Sequence, residues 1–311
     1  MGSVAVMAMQ TRPLGRTGTN VTVLGYGAME LSGMPREPVI EDPGRLLNAV
    51  LDSGINLIDT AVDYGRSEEL IGRHLGHRRD EYFLASKCGC PLNPPRSATP
   101  PYEHDYRPAN IRAGIEQSLR RLGTDRLDLL QIHMSPSLAR MEADDTIETV
   151  QALRAEGKTR FIGMSGTRPN LPDHIAMGIF DVFQIPYSAV QREHEDLITA
   201  AAGTGAGILI RGGTARGGPA TDKAWRQGPL GMPAGEGQRR WESSGVEDVL
   251  GAMPRLEFML RFTLSHPALS SAIVGTSNPD HVRANVAIAE KGPLPADLYD
   301  EARKRLEAAV A

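Results

Sequence analysis

Short apolar runs alternate with amphipathic stretches along almost the whole chain. Eight of these runs are continuously apolar, as expected of strands that are buried on both faces of a sheet. They span residues 21–27, 55–60, 82–87, 127–133, 160–166, 181–188, 207–213 and 271–276. Each is therefore predicted to be a strand at the centre of the fold.

The segments between the runs show helical periodicity. A serine at position 67 with nearby glutamates, and a proline at 108 with a glycine at 123, are typical helix boundary signals. The predicted helices span residues 44–54, 67–76, 108–123, 145–158, 170–178, 194–205, 257–266, 278–292 and 296–311.

Strands that alternate with helices indicate an α/β protein with a parallel sheet. About eight strand–helix units in 311 residues favour a closed (β/α)8 barrel, predicted as a single domain over residues 1–311. The alternative is an open doubly wound sheet. The first strand is not followed by the Gly-x-Gly-x-x-Gly pattern, which argues against the dinucleotide-binding form of that sheet.

Two connections, residues 88–107 and 214–244, are too long for plain turns and are rich in glycine and proline. They follow the third and seventh strands. Because barrel enzymes place their active sites at the carboxyl ends of the strands, we expect both loops to border a functional site.

The composition argues against nucleic-acid binding, a disulfide framework and a metal site. The chain has 41% hydrophobic and 23% charged residues, with a net charge of −4. This balance offers no basic surplus for a nucleic-acid backbone. The two cysteines, Cys88 and Cys90, form no disulfide framework and are too few to bind a metal alone, so no metal site is predicted. Without a convincing signal peptide or membrane span, a cytoplasmic location is expected.

Ionisable side chains end three consecutive strands. Asp59, Lys87 and His133 end the second, third and fourth strands, and Tyr64 follows the second. Taken alone, each of the three strand-end residues has an ordinary structural explanation. Asp59 could cap a helix, Lys87 could be solvated and His133 could be a core residue. Together on one rim they suit proton donation to a carbonyl. A lysine ammonium stabilises a tyrosinate, an aspartate keeps that lysine charged, and a histidine polarises the substrate oxygen.

These residues resemble the aldo-keto reductase superfamily. The similar motifs are DTAVDYG at 59–65, SK at 86–87, LLQIH at 129–133, GMSG at 163–166, FQIPYS at 183–188 and IVGTSNPDHVRANV at 273–286. The resemblance covers nearly the whole chain, and residues 12–29 look like the hairpin that closes the bottom of such barrels. It implies an NAD(P)H-dependent oxidoreductase that reduces aldehydes or ketones, with a small-molecule carbonyl substrate and NADPH, or less often NADH, as cofactor.

The resemblance also implies residue roles. Tyr64 would be the general acid, Asp59 and Lys87 would tune it, and His133 would orient the carbonyl. Ser165 and Gln184 would bind the nicotinamide carboxamide, and the segment around His281 the adenosine end. The full set of expected cofactor residues is Gly27, Ala28, Met29, Asp59, Ser165, Gly166, Gln184, Arg211, Gly212, Gly213, Gly275, Thr276, Ser277, His281 and Asn285.

Four positions depart from the family's pattern. Gly166 stands where many members have asparagine, and Arg211 where several have an aromatic residue. Gly275 and His281 stand where NADPH-selective members have lysine and arginine. His281, Arg283 or Ser277 remains as a candidate contact for a 2′-phosphate. NADPH stays the favoured cofactor, with NADH as the alternative.

Two alternatives to the reductase remain open. One is a Schiff-base lyase with Lys87 as nucleophile, and the other is a cofactor-binding regulatory subunit with little turnover. The loops leave further choices. Tyr102, His104 and Tyr106 either line a substrate pocket or are solvated, and Trp225 and Trp241 either close over the cofactor or pin their loop. The oligomeric state is not set by the sequence.

Overall fold

The computed structural model describes residues 9–33, 40–92, 103–215 and 235–308. An antiparallel hairpin of β1 (Thr11–Pro13) and β2 (Asn20–Thr22) precedes the barrel. Eight parallel strands then close on themselves, with the last strand paired to the first. They are β3 (Leu24–Gly27), β4 (Leu57–Asp59), β5 (Phe83–Cys88), β6 (Leu127–Ile132), β7 (Thr159–Ser165), β8 (Val182–Pro186), β9 (Gly207–Arg211) and β10 (Ser271–Val274).

Helices pack outside the strands, which confirms the predicted (β/α)8 barrel. They are α1 (Pro43–Asp52), α2 (Ser67–Leu75), α3 (Pro108–Leu122), α4 (Leu138–Ala143), α5 (Thr146–Ala155), α6 (Leu171–Ala176), α7 (Glu195–Gly203), α8 (Glu236–Ser244), α9 (Arg255–Leu264), α10 (Pro279–Glu290) and α11 (Ala296–Ala308). The boundary residues of α3 are as predicted, since Pro108 is its first residue and Gly123 ends it with a φ of +65°.

The predicted first strand, residues 21–27, is divided in the structure. Val21 pairs with Arg12 in the hairpin, whereas Tyr26 pairs with Ile58 in the barrel. The chain bends at Val23 between the two. Both halves are apolar because both are buried, so the hydrophobic pattern alone does not reveal the break.

Two helices lie where only loop was expected. Ser137 accepts a hydrogen bond from the Arg140 amide and caps α4. The second long loop contains α8, whose Trp241 is buried and donates from Nε1 to Glu247 Oε2 at 2.7 Å. Trp241 therefore pins this segment, while Trp225 lies outside the described residues.

The hairpin closes the amino-terminal end of the barrel. Leu14 and Val21 are fully buried in an apolar cluster with side chains from the barrel interior, which are Leu57, Phe83, Ala85, Leu129, Val182, Leu209 and Ile273. Arg16 fastens the hairpin from outside by donating to the carbonyls of Gly178, Phe180 and Thr204 at 3.0–3.2 Å. We refer to Leu14, Val21 and this interior cluster as the plug.

No helix in the described part of the chain has the length and apolar character needed to cross a membrane. The assignment of residues 1–311 to one domain stays a prediction.

Candidate active site

A buried ion pair lies at the carboxyl end of the barrel. Lys87 Nζ donates to Asp59 Oδ2 at 2.7 Å and to the Thr60 carbonyl at 2.7 Å. The other oxygen of Asp59, Oδ1, accepts from Gln131 Nε2 at 2.9 Å. Neighbouring strands β4, β5 and β6 each supply one member, so the strand register brings them together. Both carboxylate oxygens are thereby satisfied in a site from which water is excluded.

Tyr64 lies on a turn that is hydrogen-bonded to the segment that follows β3. Ser67 Oγ donates to the Ala28 carbonyl at 2.8 Å, and the Arg66 amide donates to the Ser32 carbonyl at 3.1 Å. Gly65 has a φ of +48°, and a Cβ there would lie 2.2 Å from the Ser32 oxygen. Only glycine fits this close approach, which fixes the position of the tyrosine next to it.

The phenol, the ammonium and the imidazole converge on one point. Lys87 Nζ lies 4.8 Å from the centroid of the Tyr64 ring, and the Tyr64 and His133 ring centroids are 6.3 Å apart in an edge-on arrangement. Asp59, Lys87 and His133 are buried, whereas Tyr64 is partly exposed. The four residues predicted from the strand ends therefore form one cluster.

Burial raises the pKa of Tyr64 to about 12, although the Lys87 charge acts to lower it. The positive charge of Lys87 therefore offsets only part of the effect of burial on this pKa. The nearby carboxylates Asp59 and Asp63 add to the upward shift.

The two basic groups shift in opposite directions. Burial acts to lower the pKa of Lys87, but attraction to Asp59 and Tyr64 and the hydrogen bond that Lys87 donates to Asp59 raise it overall. Burial lowers the pKa of His133 well below its usual value, and the positive charge of Lys87 adds to this effect. Lys87 is therefore an ammonium and His133 a neutral imidazole at neutral pH.

Two of the expected nicotinamide contacts lie side by side at the ends of β7 and β8. Ser165 Oγ and Gln184 Oε1 are 3.2 Å apart, and the Gly166 amide donates to the Gln184 carbonyl at 3.1 Å. Gln184 Nε2 is buried and has no hydrogen-bond partner within the described ranges. A buried amide donor without an acceptor fits a ligand carbonyl such as that of a carboxamide.

Arg211 is the last residue of β9, at the same end of the barrel. Its charge acts on the pKa values of both Tyr64 and His133, so it faces the cluster. Gly212 and Gly213 follow it. A Cβ on Gly213 would lie 2.8 Å from Thr263 Cγ2, so the backbone here packs directly on α9.

The expected adenosine side forms where the first and last strands meet. A Cβ on Gly27 would lie 2.9 Å from Ile273 Cγ2 and 3.6 Å from the Gly275 amide, and Ala28 and Met29 continue from it. Tyr26 donates its hydroxyl to the Thr276 carbonyl at 2.9 Å. A Cβ on Gly275 would lie 2.2 Å from Glu30 Oε2, so a carboxylate rests over this backbone.

Helix α10 begins beside this seam. Asn278 caps it by accepting from the Asp280 amide at 2.8 Å, and Thr276 Oγ1 lies 3.4 Å from His281 Nδ1. Ser277 is partly exposed, His281 exposed and Asn285 buried. Arg283, one candidate for a 2′-phosphate, pairs with Asp280. The amides of Asn278, Asp280 and His281 all donate within the chain. What favours an anionic dinucleotide here is therefore the positive end of the α10 dipole beside a glycine seam.

The strand-end argument missed three side chains that contact the cluster. Gln131 holds Asp59, and its position two residues before His133 on the same face of β6 was the available signal. Cys90 Sγ and His104 Nε2 each lie 3.2 Å from His133 Nδ1. Tyr106 donates to the His133 carbonyl at 2.6 Å, so it is structural, and Tyr102 lies outside the described residues.

The model of the aldo/keto reductase family matches residues 23–307. The chain belongs to the aldo/keto reductase family. It is thus an oxidoreductase of a family that uses nicotinamide cofactors.

Relatives match this aldo/keto reductase over most of their length. The uncharacterized oxidoreductase YqkF of Bacillus subtilis is 28% identical over 294 residues, covering 90% of this chain and 91% of the relative. The L-galactose dehydrogenase of Arabidopsis thaliana is 29% identical over 297 residues, covering 90% and 88%. The holo form of the aldo-keto reductase AKR11C1 from Bacillus halodurans has a TM-score of 0.82 at 29% identity, with 96% of each chain covered.

Proposed function

We propose that this protein reduces aldehyde or ketone carbonyls to alcohols, reversibly, at the cluster of Asp59, Tyr64, Lys87 and His133. The observation that carries the proposal is the charged Lys87 beneath the Tyr64 ring, held by Asp59 at 2.7 Å. A fixed ammonium beside a phenol favours the phenolate that remains after proton transfer.

Each residue of the chain has a separate task in this proposal. When bound, NAD(P)H supplies the hydride to the carbonyl carbon. Tyr64 donates its hydroxyl proton to the carbonyl oxygen, and His133 orients that oxygen by a hydrogen bond. Lys87 stabilises the tyrosinate, and Asp59 with Gln131 holds Lys87 in place. Alcohol oxidation uses the same groups in reverse, with tyrosinate as the base.

The proposal is tested by Tyr64→Phe. Loss of a general acid reduces turnover by about 10²- to 10⁴-fold, while cofactor affinity and the unfolding midpoint stay as in the wild type. Tyr82→Phe is the matched control, because Tyr82 is a buried tyrosine that directly precedes β5, at the far end of the barrel. Carbonyl reduction at the wild-type rate by Tyr64→Phe would show that the proton comes from elsewhere.

The cofactor residues are proposed as a set running across the rim. Ser165, Gly166 and Gln184 hold the carboxamide, Arg211, Gly212 and Gly213 the pyrophosphate side, and Gly27, Ala28 and Met29 the ribose side. The adenosine end lies on Gly275, Thr276, Ser277, His281 and Asn285. The orphaned Gln184 Nε2 supports the first contact.

NADPH is the cofactor favoured by the sequence, but carboxylates on the adenosine side favour NADH. Glu30 Oε2 rests against Gly275, and Asp280 in the first turn of α10 engages Arg283. Negative charge there repels a 2′-phosphate and accepts hydrogen bonds from a 2′-hydroxyl. Fluorescence titrations with NADPH and NADH, compared at equal ionic strength, measure the preference.

The lyase alternative is disfavoured by the same ion pair. A Schiff base needs a neutral amine, and Lys87 is held as an ammonium by Asp59. Borohydride trapping of a carbonyl compound on the chain, abolished by Lys87→Met, would support the lyase instead. A regulatory subunit would bind the cofactor with negligible turnover. A cytoplasmic location and a small-molecule substrate remain part of the proposal.

A further inference from the structure

Four side chains with metal-binding atoms converge on the inner side of His133. They are Asp63, Cys90, His104 and His133, and one donor atom from each lies within 4.8 Å of all the others. Cys90 Sγ and His104 Nε2 each approach His133 Nδ1 to 3.2 Å. The ring nitrogen in these contacts is Nδ1, on the side where the loop after β5 covers the imidazole.

Backbone hydrogen bonds hold the segments that carry Cys90, His104 and His133. The His133 amide donates to the Cys88 carbonyl at 3.1 Å, and the Asp105 amide donates to the Gly89 carbonyl at 2.8 Å. Tyr106 adds its 2.6 Å hydrogen bond to the His133 carbonyl. The backbone is therefore anchored just before Cys90 and just after His104, which limits the ordering entropy that is lost at these two ligands when an ion binds.

The spacing matches a tetrahedral site. With zinc–sulfur bonds of about 2.3 Å and zinc–nitrogen bonds of about 2.0–2.1 Å, neighbouring ligand atoms lie about 3.3–3.6 Å apart. Both contacts to His133 Nδ1 are close to this value. All the other separations are 4.8 Å or less, and a shift of about 1 Å by side-chain rotation brings them to the tetrahedral value.

The donor set also selects the class of ion. A thiol, two imidazoles and one carboxylate suit zinc, whereas magnesium and calcium require mainly oxygen ligands. Asp63 Oδ1 is buried and has no hydrogen-bond donor among the described residues. A buried carboxylate oxygen without a donor is costly, and a cation beside it removes that cost.

We propose that Asp63, Cys90, His104 and His133 form a binding site for one zinc-class divalent ion, adjoining the proposed reductase centre. Binding displaces the Cys90 thiol proton to solvent. Coordination through His133 Nδ1 leaves the proton on Nε2, so the ion fixes the tautomer of the imidazole. The site does not rest on the proposed function, since its binding readouts need neither substrate nor cofactor.

The test uses the full chain without a histidine tag, titrated with Zn²⁺ by calorimetry and with Co²⁺ by absorption. We expect one ion per chain, a Zn²⁺-dependent rise in the unfolding temperature, and a near-ultraviolet thiolate-to-cobalt band. Cys90→Ala should remove the band and weaken Zn²⁺ binding more than about 100-fold, because residues that merely orient a ligand already contribute about 10- to 100-fold.

Matched controls separate the site from general effects. Cys88→Ala removes the other buried cysteine and should keep the cobalt band, and His77→Gln removes an exposed histidine and should keep the affinity. His104→Gln lies on the loop and tests the site should Cys90→Ala fail to fold. Absence of stoichiometric binding by the wild type, or a cobalt band unchanged in both Cys90→Ala and His104→Gln, would overturn the proposal.

Discussion

The two ends of the barrel differ in the polarity and hydrogen bonding of their buried side chains. At the plug, Leu14 and Val21 are fully buried among apolar side chains, and Arg16 satisfies three carbonyls. At the rim, a buried lysine and aspartate face a phenol, and Gln184 keeps a buried amide without an acceptor. The side chains of the plug carry no polar group to which a ligand could bind, whereas those of the rim do. The same strands therefore provide stability at one end and unsatisfied chemistry at the other.

The largest effect is expected from Lys87→Met. It leaves the Asp59 carboxylate buried without its cation and should lower the free energy of unfolding by about 3–5 kcal/mol. It should also abolish carbonyl reduction. Adding Asp59→Asn removes the stranded charge, so urea denaturation of the double variant should show most of the stability restored while activity stays absent. A double variant as unstable as the single one would contradict this view of the rim.

Leu14→Ala is the reciprocal experiment at the plug. Truncation of a fully buried leucine costs about 2–5 kcal/mol of unfolding free energy, and Leu14 is 0% exposed. We expect the folded variant to retain wild-type cofactor affinity and kcat, measured well below its unfolding temperature. A change in kcat comparable to that of a rim variant would show that the two ends are coupled.

A smaller effect is expected from Gln184→Leu. Removing a hydrogen bond to the carboxamide should weaken cofactor binding by about 2- to 10-fold, the equivalent of about 0.5–1.5 kcal/mol. The free energy of unfolding of the cofactor-free chain should fall by no more than about 0.5–1.5 kcal/mol, because Nε2 has no acceptor there and only the 3.2 Å hydrogen bond from Ser165 Oγ is lost. Cofactor affinity and urea denaturation, measured on the wild type and on Gln184→Leu, test both expectations. Lost stability with unchanged affinity would assign Gln184 to the core.

The smallest effect is expected from Glu30→Gln. A partly solvated charge contributes about 0.2–1 kcal/mol, so the ratio of NADPH to NADH affinity should rise by about two- to fivefold. Glu69→Gln, on the outer surface of α2, is the control and should leave the ratio unchanged. An equal effect of both variants would reduce the role of Glu30 to net charge.

Hydrophobic periodicity was sufficient to predict all eight barrel strands, because each is buried on both faces and reads as an apolar run. It failed at residues 21–27, where a single apolar run contains a hairpin strand and a barrel strand. Val21 in the hairpin and Leu24 in the barrel are both buried, so the pattern shows no break between them. It also missed α4, where Met141 is the only buried side chain and the apolar period is too weak to detect.

The rim was predictable for a different reason. Ionisable residues that end consecutive parallel strands must meet, so Asp59, Lys87 and His133 needed only the strand order. The contacts of Cys90 and His104 with His133 depend on how the loop after β5 crosses the end of β6, over separations of 43 and 29 residues. No local pattern encodes that path, and the four-residue cluster is visible only in three dimensions.

The seam between β3 and β10 has a consequence for folding. Tyr26 and Thr276 are 250 residues apart in sequence, and their hydrogen bond joins the first barrel strand to the last. Contacts of such long range form late, after the entropy of closing the chain has been overcome. The proposed cofactor site, with Gly27 on one side of the seam and Gly275 on the other, is therefore complete only when the barrel is closed. During refolding, the rate at which quenching of fluorescence by the cofactor returns would therefore report the rate of barrel closure.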